Sequence, residues 1–124
     1  VKSELQAVLK KRPPFGWIDL PATVDVAYKP GSPVALQGWV LDNSVVTQVS
    51  VQIDGKQVAT LPATKSRADV CLVYPAYPGC PKIGFAGSIP TAGLSGCPHL
   101  LQVTATDGDG NSTILGERRL ISKP

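Results

Sequence analysis

Read from its residues alone, the 124-residue chain is an all-β protein, a two-sheet sandwich of about seven short strands with one long Cys/Pro/Tyr-rich loop. Three observations point there. Proline and glycine number 12 each and methionine is absent, a composition suited to many turns rather than to helices, which want Leu, Ala, Glu and Lys. Several short runs alternate apolar and polar residues with period two. Turn signals recur between those runs at regular spacing.

The elements follow in order. In Val1 to Lys11, Leu5, Val8 and Leu9 fall at i, i+3 and i+4, with Ser3 placed to cap. Residues 1–14 are therefore expected to be a short helix or a linker from a preceding region, stopped at Pro13-Pro14. Residues 15–124 are the domain. Gly16 to Leu20 is a first strand, and Pro30-Gly31-Ser32-Pro33 a turn before the strand Val34 to Leu41. Val49, Val51 and Ile53 alternate with Ser50 and Gln52. Asp54-Gly55 then predicts a type I′ hairpin returning through Gln57 to Leu61. Strands follow over Gly84 to Ile89, Leu101 to Thr106 and Thr113 to Ser122. Seven such strands at this spacing are the signature of an immunoglobulin-like sandwich. Its core is expected to hold Val34, Leu36, Val40, Val49, Val51, Ile53, Phe85, Leu101, Val103 and Ala105.

The stretch Ala68 to Pro81 interrupts this pattern. Its prolines remove backbone donors and restrict the residues before them, which argues against a helix or a central strand here. A rigid excursion from a β-scaffold is expected, and such loops tend to carry function. Cys71 and Cys80, nine positions apart, are expected to bridge, worth roughly 2–3 kcal/mol on the chain-entropy model. Cys97, ahead of Pro98, is expected as a free, partly buried thiol. Three cysteines nonetheless leave the other two pairings open.

The run Gly38-Trp39-Val40-Leu41-Asp42, then Val49-x-Val51-x-Ile53-Asp54-Gly55-Lys56, Gly84-Phe85, and Gly93-Leu94 through His99, Leu101, Val103, Ala105 and Asp107 to Asp109-Gly110 resembles bacterial Ig-like domains. The resemblance covers about residues 15 to 122, and Asp69-Val70-Cys71 with Tyr77-Pro78-x-Cys80-Pro81 is similar to one subgroup of them. Such modules are appended to cell-surface, secreted and envelope proteins, including glycosidases and membrane glycosyltransferases. The resemblance implies the sandwich fold; function does not transfer with fold.

Several chemistries are weighed and set aside. A net charge of +3 is too small to imply nucleic acid or an anionic membrane, and no apolar run reaches the roughly 18 residues of a membrane span. No metal or other cofactor is expected: Cys97-Pro98-His99 does not match zinc-ligand spacing. Asp107-Gly108-Asp109-Gly110-Asn111 lacks the Gly and Glu of a calcium loop, having Ser112 and Arg118 there, and reads as a polar turn. His99 is expected packed and hydrogen-bonded at a strand start. Cys97 and His99 could share a strand face, but no third member of a nucleophilic triad is evident. No catalytic residue is assigned, and the protein is read as not an enzyme.

The aromatic residues are the better lead. With Val34, Leu36 and Val40 inward, Trp39 points to the opposite face of its sheet. There Tyr74 and Tyr77 either cement the loop over it or form with it a platform for a docking partner or a sugar ring. The functional expectation is an accessory Ig-like module, a spacer, docking or stabilising domain of a larger bacterial envelope or secreted protein, periplasmic or outside the cell. Its partners would be other domains of the same polypeptide or an envelope protein, and the alternative is a carbohydrate-binding module using the Tyr-Pro loop. The missing methionine and the polar start at Val1 fit a piece of a longer polypeptide.

Overall fold

The computed structural model describes residues 13–42, 46–75, 77–94 and 98–122. Among them lie nine strands and one helix: β1 Phe15–Leu20, β2 Asp25–Tyr28, β3 Val34–Leu41, β4 Val46–Ile53, β5 Lys56–Leu61, β6 Lys65–Ser66, α1 Ala68–Val73, β7 Lys82–Ile89, β8 His99–Asp107 and β9 Ser112–Ser122. One sheet has the order β1-β3-β7-β6, the other β2-β9-β8-β4-β5. This is the expected immunoglobulin-like sandwich. The two additional strands, β2 and β6, have four and two residues, too short to carry a period-two signal. The suggested N-terminal helix falls outside the described residues.

Alternation builds the core. All ten residues expected inside are buried, joined by Ile18, Tyr28, Ile89 and Leu120. Gly38 faces this core on β3, where the Phe85 ring occupies the space a side chain would take: a Cβ at Gly38 would lie 2.5 Å from Phe85 Cζ and 2.3 Å from the Trp17 carbonyl. Arg118 is buried between the sheets. Its Nε donates to the Pro21 carbonyl (2.7 Å) and its terminal nitrogens to the carbonyls of Glu117 (2.8 Å) and Ile18 (3.2 Å), satisfying a charge that would otherwise be costly to bury.

The predicted turns are present. Asp54 and Gly55 both have positive φ (54° and 83°), as a type I′ hairpin requires. Asp54 accepts the Leu100 N–H (2.9 Å) and pairs with the His99 ring at the start of β8. That contact, followed by the Leu100 N–H bond, holds the Asp54 carboxyl below its ordinary range. At the opposite end Asp107 Oδ1 accepts the N–H groups of Asp109 and Asn111 (both 2.9 Å), closing the polar turn.

β9 runs beside β1 and then β2 in one direction. The Leu115 side chain lies against Gly16, Arg118 reaches Ile18 and Pro21, and the Arg119 N–H meets the Val24 carbonyl. Beyond this point β2 pairs parallel with β9, from Asp25↔Arg119 to Tyr28↔Ser122. The chain therefore comes in at the Phe15 pole and leaves at the Ser122 pole.

Candidate functional site

Strand parity places the candidate site on the outer face of the β1-β3-β7-β6 sheet. Ile18 and Val40 turn inward, so Phe15, Trp17 and Asp19 of β1 and Gln37, Trp39 and Leu41 of β3 turn out. Trp17 lies opposite Trp39, and Phe15 opposite Leu41. Over this face the chain between β6 and β7 folds into a cover. Leu41, Val70 and Ile83 form a second small buried cluster there, with Phe15, Trp39, Cys71, Tyr77 and Cys80 packed against it.

The cover contains the helix α1, a correction to the expectation from sequence. Proline excludes helix only from itself and its immediate predecessor. The first proline of the stretch is Pro75, so Ala68–Val73 winds one and a half turns unobstructed. The helix ends at Tyr74, whose N–H bonds the Val70 carbonyl (2.9 Å). The Cys71–Cys80 disulfide closes the loop, with the two Cα atoms 6.0 Å apart. Cys97, and with it the thiol–imidazole pair weighed from sequence, lies outside the described residues.

The structure brings Trp39, Tyr74 and Tyr77 together, and Phe15, which the sequence reading passed over, joins them. Its ring packs edge-on against Trp39 (6.1 Å between centroids), Tyr74 (5.4 Å) and Tyr77 (5.5 Å). Tyr74 in turn contacts Trp39 at 5.8 Å. Trp39 and Tyr77 are half-buried, and Tyr74 is 39 % exposed. Most of the surface of these rings is used in holding the cover down. The exposed indole is Trp17, at 61 %. The signal for it was present in the sequence as Phe15-x-Trp17-x-Asp19, alternating around inward Ile18.

Arg67, just ahead of α1, ties the cover to β1. Its guanidinium makes two bonds to Asp69 (3.1 and 3.0 Å) and a third to Asp19. Its flexible stem crosses Gly84, where a Cβ would come within 2.7 Å of Arg67 Cγ. The bonds it donates to Asp69 and then to Asp19 raise the Arg67 pKa further. The Arg67 hydrogen bonds hold the Asp69 carboxyl below its usual value, so these groups stay ionised at neutral pH. Beneath the Pro78-Gly79 tip lies a cavity of about 80 Å³ that Asp42 and Lys82 help to line. It is far smaller than the roughly 300 Å³ at which ligand pockets begin, so any ligand of this face lies on the surface.

Among the described residues, no three His, Cys, Asp or Glu side chains converge as metal ligands would, and no helix is long and apolar enough to cross a membrane. No family model matches the sequence, and no curated protein matches it. Among solved structures the chain is similar to the Clostridium thermocellum CbhA fibronectin(III)-like modules, with a TM-score of 0.60 and 12 % identity over 90 % of this chain. It spans about half, 47 %, of that longer chain. At this identity the likeness is one of fold.

Proposed function

We propose that this domain is a non-catalytic accessory module of a larger secreted or envelope protein, holding its neighbours on the polypeptide apart and at a fixed orientation. One observation carries this reading: the chain comes in at one pole and leaves at the other, with β9 spanning the length between them. Gly16, next to the entry, lies against Leu115, and the seven residue steps from there to Ser122 at the exit correspond to about 24 Å. A module with this threading acts as a rigid spacer wherever chain continues on both sides. The disulfide favours an oxidising compartment, and the fibronectin(III)-like neighbour is itself a module within a longer chain. Nothing in the outer-face site calls for catalysis, since its carboxylates are paired with Arg67 and the Phe15, Trp39, Tyr74 and Tyr77 rings are engaged in packing.

The test is energy transfer between fluorescent proteins fused on either side of the domain. A spacer gives one narrow transfer efficiency, set by a separation of roughly 24 Å plus the radii of the fused proteins. A Gly/Ser linker of equal residue number has an r.m.s. span of about 52–63 Å and gives a broad, lower-transfer distribution. A distribution matching the linker's would overturn the spacer role.

A further inference from the structure

The outer face offers more than a cover, and the residues left exposed there have a definite arrangement. The α1 region is tied to β1 at both ends. Arg67, before the helix, bonds Asp19 at the end of the strand nearer Leu20. Tyr74, after the helix, meets Phe15 at the strand's other end. Trp17 lies between these two ties on the same face, two residues or about 7 Å from each neighbour. Asp69 shares Arg67 with Asp19, so the side of α1 carrying Asp69 is the side toward β1. Leu72, two positions past the buried Val70 and so nearly opposite it round the helix, stands at the crest of α1, and Val73, four positions past Asp69, lies on that same side. They are 84 % and 69 % exposed. The result is a shallow trough with the Trp17 indole in it, Val73 along one wall with Leu72 at its crest, Tyr74 at one end and Asp19–Arg67–Asp69 at the other.

We propose that this trough binds a neutral carbohydrate chain, with a pyranose ring stacked on Trp17 and its hydroxyls bonded to the Asp19–Arg67–Asp69 group. The assignment goes beyond the spacer reading and does not depend on it. A sugar ring presents an apolar C–H face and a rim of hydroxyls, and the trough matches both. Its indole and aliphatic wall take the C–H face. Its carboxylates are already held in place by Arg67, so they can accept hydroxyl protons with little further ordering. Two aspartates against one arginine leave the trough with excess negative charge, which disfavours nucleic acid and acidic polysaccharides. The same fixed charges would have to shed water to enter a lipid layer, a cost that sugar hydroxyls avoid by replacing that water.

The experiment is native affinity electrophoresis of the intact domain in gels containing hydroxyethylcellulose, mixed-linkage β-glucan, glucomannan or dextran, with dextran sulfate as the anionic comparison. Retardation by at least one neutral polymer and none by dextran sulfate is expected. Trp17→Ala should weaken that retardation about tenfold or more, and Asp69→Asn should weaken it by a smaller factor. Because Trp17 is largely solvent-exposed, the variant keeps its β-sheet circular dichroism and its disulfide, which separates lost binding from lost folding. Leu72→Asp adds charge to the wall and should also weaken retardation. The proposal is overturned if no neutral polymer retards the protein, or if Trp17→Ala is retarded as strongly as the parent. It is equally overturned if Trp17 and Leu72 govern only concentration-dependent self-association seen without polymer, which would make the trough a protein interface.

Discussion

Gly38 and Asp107 are two positions where one atom's surroundings decide what the chain tolerates. At Gly38 the obstacle to a methyl group includes the Trp17 carbonyl 2.3 Å away, and backbone cannot rotate aside. Gly38→Ala is expected to cost about 3 kcal/mol, the upper end for overpacking, as a lowered urea midpoint with unchanged slope. Gly55→Ala meets nothing within 4 Å and pays only for its positive φ, so it should cost less. Asp107 is 2 % exposed and Asp42 3 %. Burial pushes the Asp107 carboxyl up, but the Asn111 N–H and side-chain amide, the Asp42 carboxyl and the Asp109 N–H together hold it below its ordinary value. A lowered native pKa adds stability above the unfolded value near 3.9, and that stability is lost as pH falls through the native value. Asp107→Asn should therefore flatten the acid limb of a stability–pH profile while lowering stability at pH 7. The Asp107 turn was legible in sequence because Gly and Asn dictate turns locally. Its link to Asp42 joins residues 65 positions apart and has no local signature.

Among the elements, the disulfide-closed cover shows best how far local rules reach. The Cys71–Cys80 pairing and the partnership of Trp39 with Tyr74 and Tyr77 could be read from spacing and strand parity. α1 could not be, because the proline-rich composition of 68–81 masks a proline-free run over 68–73. Phe15 and Trp17 were missed for a different reason: on a short first strand, outward aromatics resemble inward ones until a neighbouring strand fixes the parity. Cys71→Ser with Cys80→Ser should cost about 2–3 kcal/mol and shift tryptophan emission to the red as water reaches Trp39. The far-ultraviolet dichroism of the sheets should stay unchanged. Phe15→Ala removes the ring on which Trp39, Tyr74 and Tyr77 all pack, and should cost a comparable 2–3 kcal/mol, below the 3–5 kcal/mol of a fully buried Phe. If the sheets unfold in either variant, the cover is part of the core rather than an addition to it.

At the scale of the whole molecule, the run of β9 alongside β1 and β2 determines how the domain answers a pull. A tension applied through Pro13 and Ser122 lies along the strands. It loads the four-pair β2–β9 ladder, Asp25↔Arg119 to Tyr28↔Ser122, in shear, and the Asp25–Arg119 ion pair (2.8 Å) strains in the same direction. Bonds in a sheared ladder share the load and fail together, whereas bonds pulled crosswise open one at a time. Forced unfolding is governed by the barrier to leaving the native state rather than by equilibrium stability. Val26→Pro, which deletes a ladder donor at the centre of β2, should thus lower the rupture force in single-molecule stretching by a larger fraction than Leu72→Ala, which touches neither ladder. The two poles let the fold bear tension along its length until one short parallel ladder gives way.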